Sequence, residues 1–164
     1  KISSDKVFDE FQEAKELGIL TQPVLIGPVT YLFLGKVMDD TGFNKYELLD
    51  SLILIYIQII QKLTSLGAES IQLDEPIFSL ELDSELISHL KKAYRLLSEN
   101  VHKIDLMVAN YFGSLQKNLP VFLNLPVQAL HVDAVRGADE LDDIIFDMPR
   151  DKKISIGIIN VRNV

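Results

Sequence analysis

The chain has no cysteine among its 164 residues. A disulfide framework and a thiolate metal site are both excluded by that absence. Histidine is sparse too: His89, His102 and His131 stand far apart, and no pair has metal-ligand spacing. Glycines are scattered singly at Gly27, Gly35, Gly42, Gly113 and Gly137, so there is no glycine-rich phosphate loop. A Gly-x-Ser-x-Gly nucleophile elbow is also missing. Positive charge is short. Sixteen Lys and Arg face 24 Asp and Glu, a net charge of −8. That balance argues against a general nucleic-acid binder and against an anionic membrane surface as partner. Residues 1–15 are polar and amphipathic, unlike a secretory signal. The most apolar run, 48–60, is interrupted by Asp50, Ser51 and Gln58. It falls short of the roughly 20 residues that span a bilayer and reads as a buried helix. The lack of cysteine fits a cytoplasmic protein. The chain opens on Lys1 rather than Met and stops at Val164 without a tail, which suggests a fragment.

What is present is a soluble globular composition, 48% apolar and 24% charged. The length suits one domain with its own core but is short of the roughly 250 residues of a closed eight-fold α/β barrel.

The stretch around which the rest is arranged is Ile71-Gln72-Leu73-Asp74-Glu75-Pro76. Apolar alternation ends there in two carboxylates and a proline, which cannot donate to a sheet ladder. In a regular strand Gln72 and Asp74 share one face while Leu73 and Glu75 share the other. The two acids therefore diverge, unlike the converging pair of a retaining glycosidase. The plainer reading is a strand end whose acids cap the loop that follows.

Taken in order, Ser3, Ser4 and Asp5 offer caps to a first helix, with Val7, Phe8, Phe11, Ala14 and Leu17 at helical spacing and Gly18 as its stop. Residues 24–31 read as a strand interrupted at Gly27-Pro28, where the backbone bends or is closely approached. Asn44 and Glu47 resemble a capping box opening a long helix that ends near Gly67 and is apolar almost all round. Asp83 or Ser84 caps another helix, with Leu86, Leu90, Tyr94 and Leu97 inward and Lys91, Lys92 and Arg95 on a solvated face. Strands follow at about 103–111 and 129–133, a short helical stretch lies before Pro126, a helix spans 139–148, and a last strand spans 154–159. Five strands alternating with helices predict a parallel α/β sheet with right-handed crossovers. Either an open doubly wound sheet or part of a (β/α)8 barrel satisfies that pattern.

Every strand but the first ends in polar side chains: Asp74 and Glu75, Asn110 and Tyr111, His131 and Asp133, Asn160. Sites on such folds gather at this carboxyl edge. Asp74, His131 and Asp133 are the candidate substrate-binding residues. His131 and Asp133 lie two apart on one strand face, so a carboxylate beside an imidazole is one reading. A strand histidine satisfied by a neighbour is the other.

Together these strand-end motifs resemble the amino-terminal barrel of cobalamin-independent methionine synthase. The stretches that carry the resemblance are Pro23-Val24-Leu25-Ile26-Gly27-Pro28-Val29-Thr30-Tyr31-Leu32-Phe33-Leu34-Gly35-Lys36, the central Ile71 to Pro76 motif, Pro126-Val127-Gln128-Ala129-Leu130-His131-Val132-Asp133, and Gly157-Ile158-Ile159-Asn160-Val161-Arg162-Asn163-Val164. Val161 departs from the family, where glycine is expected between Asn160 and Arg162.

The resemblance implies one partial (β/α)8 domain over 1–164, supplying about strands three to seven. It also implies an enzyme moving a methyl group from 5-methyltetrahydropteroyl-oligoglutamate to homocysteine. Zinc then belongs to a carboxyl-terminal barrel, the missing remainder of the enzyme is this chain's partner, and this half is a metal-free folate-side scaffold without catalytic residues of its own. By the same resemblance, Val108 and Asn110 stand where the catalytic half has histidine and cysteine ligands. Asp133 corresponds to a glutamate ligand, and Asp74 to an acid that holds the substrate amino group.

A competing reading from another class is a free-standing doubly wound module of 18.5 kDa that binds a small molecule near Asp74 and His131. A five-strand piece of a barrel would also leave two sheet edges and one face uncovered, with Leu73, Val132 and Ile156 or their alternating neighbours short of packing, so a well-ordered fragment is expected to pair with a second copy or to rearrange into a flatter doubly wound sheet.

Overall fold

The computed structural model describes residues 1–38 and 42–160. Within them, β1 (Val24–Ile26), β2 (Ser70–Asp74), β3 (Asp105–Ala109), β4 (Ala129–Asp133) and β5 (Lys153–Gly157) form one parallel sheet in that spatial order. Helix α1 (Lys6–Glu16) precedes β1. Between β1 and β2 lie α2 (Pro28–Leu34) and α3 (Leu49–Leu66). The later crossovers carry α4 (Ser84–Asn100), α5 (Leu119–Leu123) and α6 (Leu141–Asp147).

The sequential strand order decides the architecture. A doubly wound sheet reverses direction at a switch point and so places helices on both faces. Here every crossover steps the same way, and right-handed crossovers of one direction put all their helices on one side. The doubly wound alternative is therefore excluded. The sheet is an arc of barrel type, helices outside and the other face bare.

Side-chain alternation sorts the residues between those faces. Ile71, Leu73, Leu106, Val108, Leu130 and Val132 are buried beneath the helices, among Ile53, Leu63, Leu90, Leu97 and Phe122. Their neighbours Gln72, Asp74, Met107, His131 and Ser155 lie half-buried on the opposite face. Leu73 and Val132 thus keep their packing in the arc. Only Ile156, at 36% exposure beside the β5 edge, is short of it. The bare face sets Gln72, Asp74, His131 and Ser155 beside apolar Met107, Val24 and Ile26, the last two being register partners of Gln72 and Asp74. Val24 and Ile26 of β1 are 51% and 37% exposed.

The segment 24–31 is not one strand. β1 stops at Ile26, Gly27 caps, and Pro28 opens α2 at the first helical position, where its fixed φ and missing N–H do no harm. The close approach at Gly27 is real: the Glu75 side chain lies where a Cβ on residue 27 would stand.

Asn44 caps differently from a capping box. Its Oδ1 accepts from Tyr46 N–H (3.0 Å) and starts a short 3-10 turn, Lys45–Leu48, that runs into α3. The continuous helical stretch is thus Lys45–Leu66, 22 residues, long and apolar enough by itself to cross a membrane. In the fold it packs on α1, α2 and α4 with Leu49, Ile53, Tyr56, Ile60 and Leu63 buried, while Leu54 is 60% exposed. α4 follows its expected course: Asp83 Oδ1 accepts from Leu86 N–H (2.8 Å), and Leu90, Tyr94 and Leu97 face inward.

Candidate functional site

The carboxyl ends of β2, β3 and β4 bring Asp74, Tyr111 and His131 to the bare face. Register fixes the layer, with Asp74 opposite Ala109 and Ala109 opposite His131. Asp74 sits at the last position of β2, where Pro76 ends the ladder. Its Oδ1 accepts from Gln72 Nε2 (2.7 Å) and its Oδ2 from the Tyr111 hydroxyl (2.7 Å). Each oxygen keeps acceptor capacity toward the bare face. Burial, then the hydrogen bond to Asp74 and the charge of Asp74, push the Tyr111 phenol up, so it stays a donor.

His131 has its Nδ1 2.8 Å from Ser155 Oγ on the adjacent strand. Burial lowers its pKa against the opposing pull of Asp133 and Asp74, which leaves a neutral imidazole at pH 7. Gly157 makes room for that ring: a Cβ there would lie 3.1 Å from Nε2. The neighbour-satisfied reading of His131 is the one realised, through Ser155 and not through Asp133.

Asp133 is occupied by its own loop and by the loop that follows β3. Oδ1 accepts from Val135 N–H (3.0 Å) and Arg136 N–H (3.1 Å), and Oδ2 from Phe112 N–H (3.2 Å) and the Arg136 guanidinium (2.9 Å). Burial alone would raise this carboxyl. The Arg136 guanidinium and the three N–H donors outweigh it and hold the pKa below the ordinary value. Phe112, whose N–H it anchors, has φ +80°, an unusual conformation for an aromatic residue, and its ring is 64% exposed beside Tyr111. Asp133 therefore shapes the rim that flanks Asp74 more directly than it offers a free carboxylate.

The would-be ligand positions do not fit a metal. Val108 points into the covered core at 0% exposure. Asn110 spends its Oδ1 on Ser79 Oγ (3.0 Å) and its Nδ2 on Gly113 O (3.2 Å). All four bonds to Asp133 come from its own surroundings. Among the described residues no group of three or more His, Asp or Glu side chains converges.

Glu75 is the residue whose role the sequence did not disclose. Pointing away from Asp74, it is fully buried and caps not its own loop but α2, 45 residues away. Oε1 accepts from Val29 N–H (3.2 Å) and the Tyr94 hydroxyl (3.1 Å), Oε2 from Thr30 N–H (2.8 Å) and Thr30 Oγ1 (2.5 Å). Burial nonetheless raises its pKa to about 7. Of the last motif, Gly157, Ile158, Ile159 and Asn160 are described, whereas Val161, Arg162, Asn163 and Val164 lie outside the described residues.

Comparison with known proteins places this geometry. Residues 1–164 match the family model described as the N-terminal domain of cobalamin-independent synthase. The 5-methyltetrahydropteroyltriglutamate–homocysteine methyltransferase of Saccharomyces cerevisiae is 42% identical, covering 100% of this chain and 22% of its own length. That of Salinibacter ruber is 43% identical over 99% of this chain and 21% of its own. The chain thus spans about a fifth of the length of these relatives. Among solved structures, a B12-independent methionine synthase from Shewanella sp. W3-18-1 in complex with selenomethionine superposes with a TM-score of 0.71 over 98% of this chain and 50% of its own, at 18% identity. A methyltransferase from Methanosarcina mazei gives 0.64 over 87% of this chain and 45% of its own, also at 18% identity. At such identity these two speak for the fold alone. The family match over the whole chain says more: this protein belongs to the cobalamin-independent synthase family, and its residues are those of the N-terminal domain.

Proposed function

We propose that this chain is the folate-side, metal-free scaffold of an enzyme that transfers a methyl group from 5-methyltetrahydropteroyl-oligoglutamate to homocysteine, and that it is inactive alone. The observation that carries the reading is identity above 40%, over essentially the entire chain, to proteins named for that reaction. In this reading the five strands are about the third to seventh of a (β/α)8 barrel, 1–164 is one partial domain, and the enzyme works in the cytoplasm.

Zinc, which would activate the homocysteine thiol, belongs to another barrel of the longer enzyme. The donor set of this chain supports that assignment, since valine cannot ligate and the amide and carboxylate of Asn110 and Asp133 are already engaged. What this chain contributes is surface. Asp74 offers acceptor capacity between Gln72 and Tyr111, His131 offers a neutral Nε2, and Asp133 fixes the aromatic rim. Holding a substrate by such groups lowers a barrier by orientation, without touching the reacting atoms.

Two measurements test the reading. The product of the natural gene should be several times heavier than 18.5 kDa, whereas a free-standing module would be found near that mass. The purified full-length protein should form methionine from methyl-folate and homocysteine. Failure to do so with zinc supplied would overturn the assignment.

A further inference from the structure

The contacts of Glu75 have a consequence that does not depend on the reaction. Its carboxyl is enclosed by four elements: β2 carries it, α2 provides Val29 and Thr30, α4 provides Tyr94, and α3 brings Tyr56, whose hydroxyl lies 2.5 Å from Ile26 O. Tyr56 and Tyr94 are the titratable groups electrostatically linked to it, with Tyr31 joined through Tyr56 and Asp74 through Tyr94. None is a cation, and among the described residues Glu75 forms no ion pair. The bare α-carbon of Gly27 lets the carboxyl press against the chain entering α2.

The two protonation states differ in what they ask of this enclosure. A neutral carboxyl keeps its acceptor bonds from the Val29 and Thr30 N–H groups and donates its proton to the Thr30 or Tyr94 hydroxyl, either of which can turn from donor to acceptor. An ionised carboxyl uses all four donors but carries a charge out of water with no counter-ion, which is costly even when hydrogen-bonded. The cheapest route to water is through α2. It is seven residues long, buries Pro28, Val29, Thr30 and Leu32 while turning Tyr31 and Leu34 (53% and 61% exposed) to solvent, and supplies three of the four contacts.

We propose that Glu75 is a proton-operated latch on α2: neutral, it holds the helix against the carboxyl edge of the sheet, and ionised, it favours an opened state in which α2 lifts and water reaches the carboxylate. The latch places a conformational switch beside Asp74, on the rim where the chain's candidate site lies.

The sign follows from linkage. The carboxyl is raised to about 7 when closed, against an ordinary value of 4.5. In the opened state it returns toward the ordinary value. Opening therefore becomes easier as pH rises between those two values and levels off above about 7.

Hydrogen exchange on the 164-residue chain reads this directly. After correction for the intrinsic pH dependence of exchange, protection of the Tyr31 to Leu34 amides should fall by about fortyfold between pH 5 and pH 7, and by only about twofold more from pH 7 to pH 8. Amides of β2 and β3 should stay protected throughout. In Glu75→Gln the fall should vanish. Should that variant fail to fold, Thr30→Val serves: losing a donor to the ionised form, it should carry the levelling-off point to higher pH. A flat profile in the native chain, an unchanged slope in Glu75→Gln, or an unmoved levelling-off point in Thr30→Val would each overturn the latch. So would loss of protection spread equally over β2 and β3, which would mean global unfolding instead of movement of α2.

Discussion

Gly27 and Glu75 share one volume: the carboxyl of the second stands where the first would carry a Cβ, and that is why residue 27 has none. Glu75 cannot swing aside, being fully buried with four hydrogen bonds. Gly27→Ala should therefore destabilise the domain by about 3 kcal/mol, the upper end of overpacking costs. Urea unfolding followed by circular dichroism checks this. A loss under 1 kcal/mol would show that the Glu75 enclosure yields easily.

Stability should depend on pH through two carboxyls of opposite sign. Glu75 is raised to about 7 in the fold, so its contribution is fully present below the unfolded value near 4.5 and is lost as pH climbs through about 7. Asp133 is lowered, so its contribution is present above the unfolded value and is lost as pH falls through the folded one. The thermal midpoint should peak in mildly acid buffer, near pH 5. In Glu75→Gln the decline toward neutrality should flatten while the acid limb remains.

Asp133→Asn should weaken the fold by about 1–3 kcal/mol, because the new amide puts a donor where Phe112 N–H and the Arg136 guanidinium already donate. Chemical denaturation reports the loss. The Phe112 amide signal should shift most among backbone resonances, since its N–H donates to the altered carboxyl from a residue held at φ +80°.

Asp74→Asn should cost less, about 0.5–1.5 kcal/mol, since an amide oxygen can still accept from Tyr111 or Gln72. Removing the charge should lower the Tyr111 phenol, seen as an earlier rise of phenolate absorbance on alkaline titration. In the full-length enzyme, unchanged stability with a large loss of turnover would mark Asp74 as a substrate contact.

Much of this was legible in the sequence because alternation is a local signal. Ala129-Leu130-His131-Val132-Asp133 reads as a strand from its period of two, and β4 has those bounds. Opposite directions for Asp74 and Glu75 followed in the same way. Residues 24–31 misled because an apolar stretch looks alike in a strand and in a buried helix turn, although Pro28 marked a helix start. The Asp133 loop was readable in kind, since Asp commonly binds backbone N–H groups two and three residues on. Glu75 was not. Its partners lie 45 and 19 residues away, and nothing local announces a carboxylate that caps a distant helix.

The bare edges make a prediction about association. Val24 and Ile26 leave apolar side chains and unpaired backbone groups along β1. Light scattering on the 164-residue chain should show self-association at micromolar concentration. Val24→Lys, a charge on an exposed edge, should reduce it while changing stability by no more than about 0.5 kcal/mol.

The central claim is that this chain contributes shape and surface to methyl transfer while the reacting metal and thiol are held elsewhere. Radiolabelled 5-methyltetrahydrofolate polyglutamate, homocysteine and zinc, incubated with the 164-residue chain alone, should give no methionine above a protein-free control, whereas the full-length gene product should give it readily. Methionine formed by the isolated chain, and lost on His131→Ala, would contradict the account.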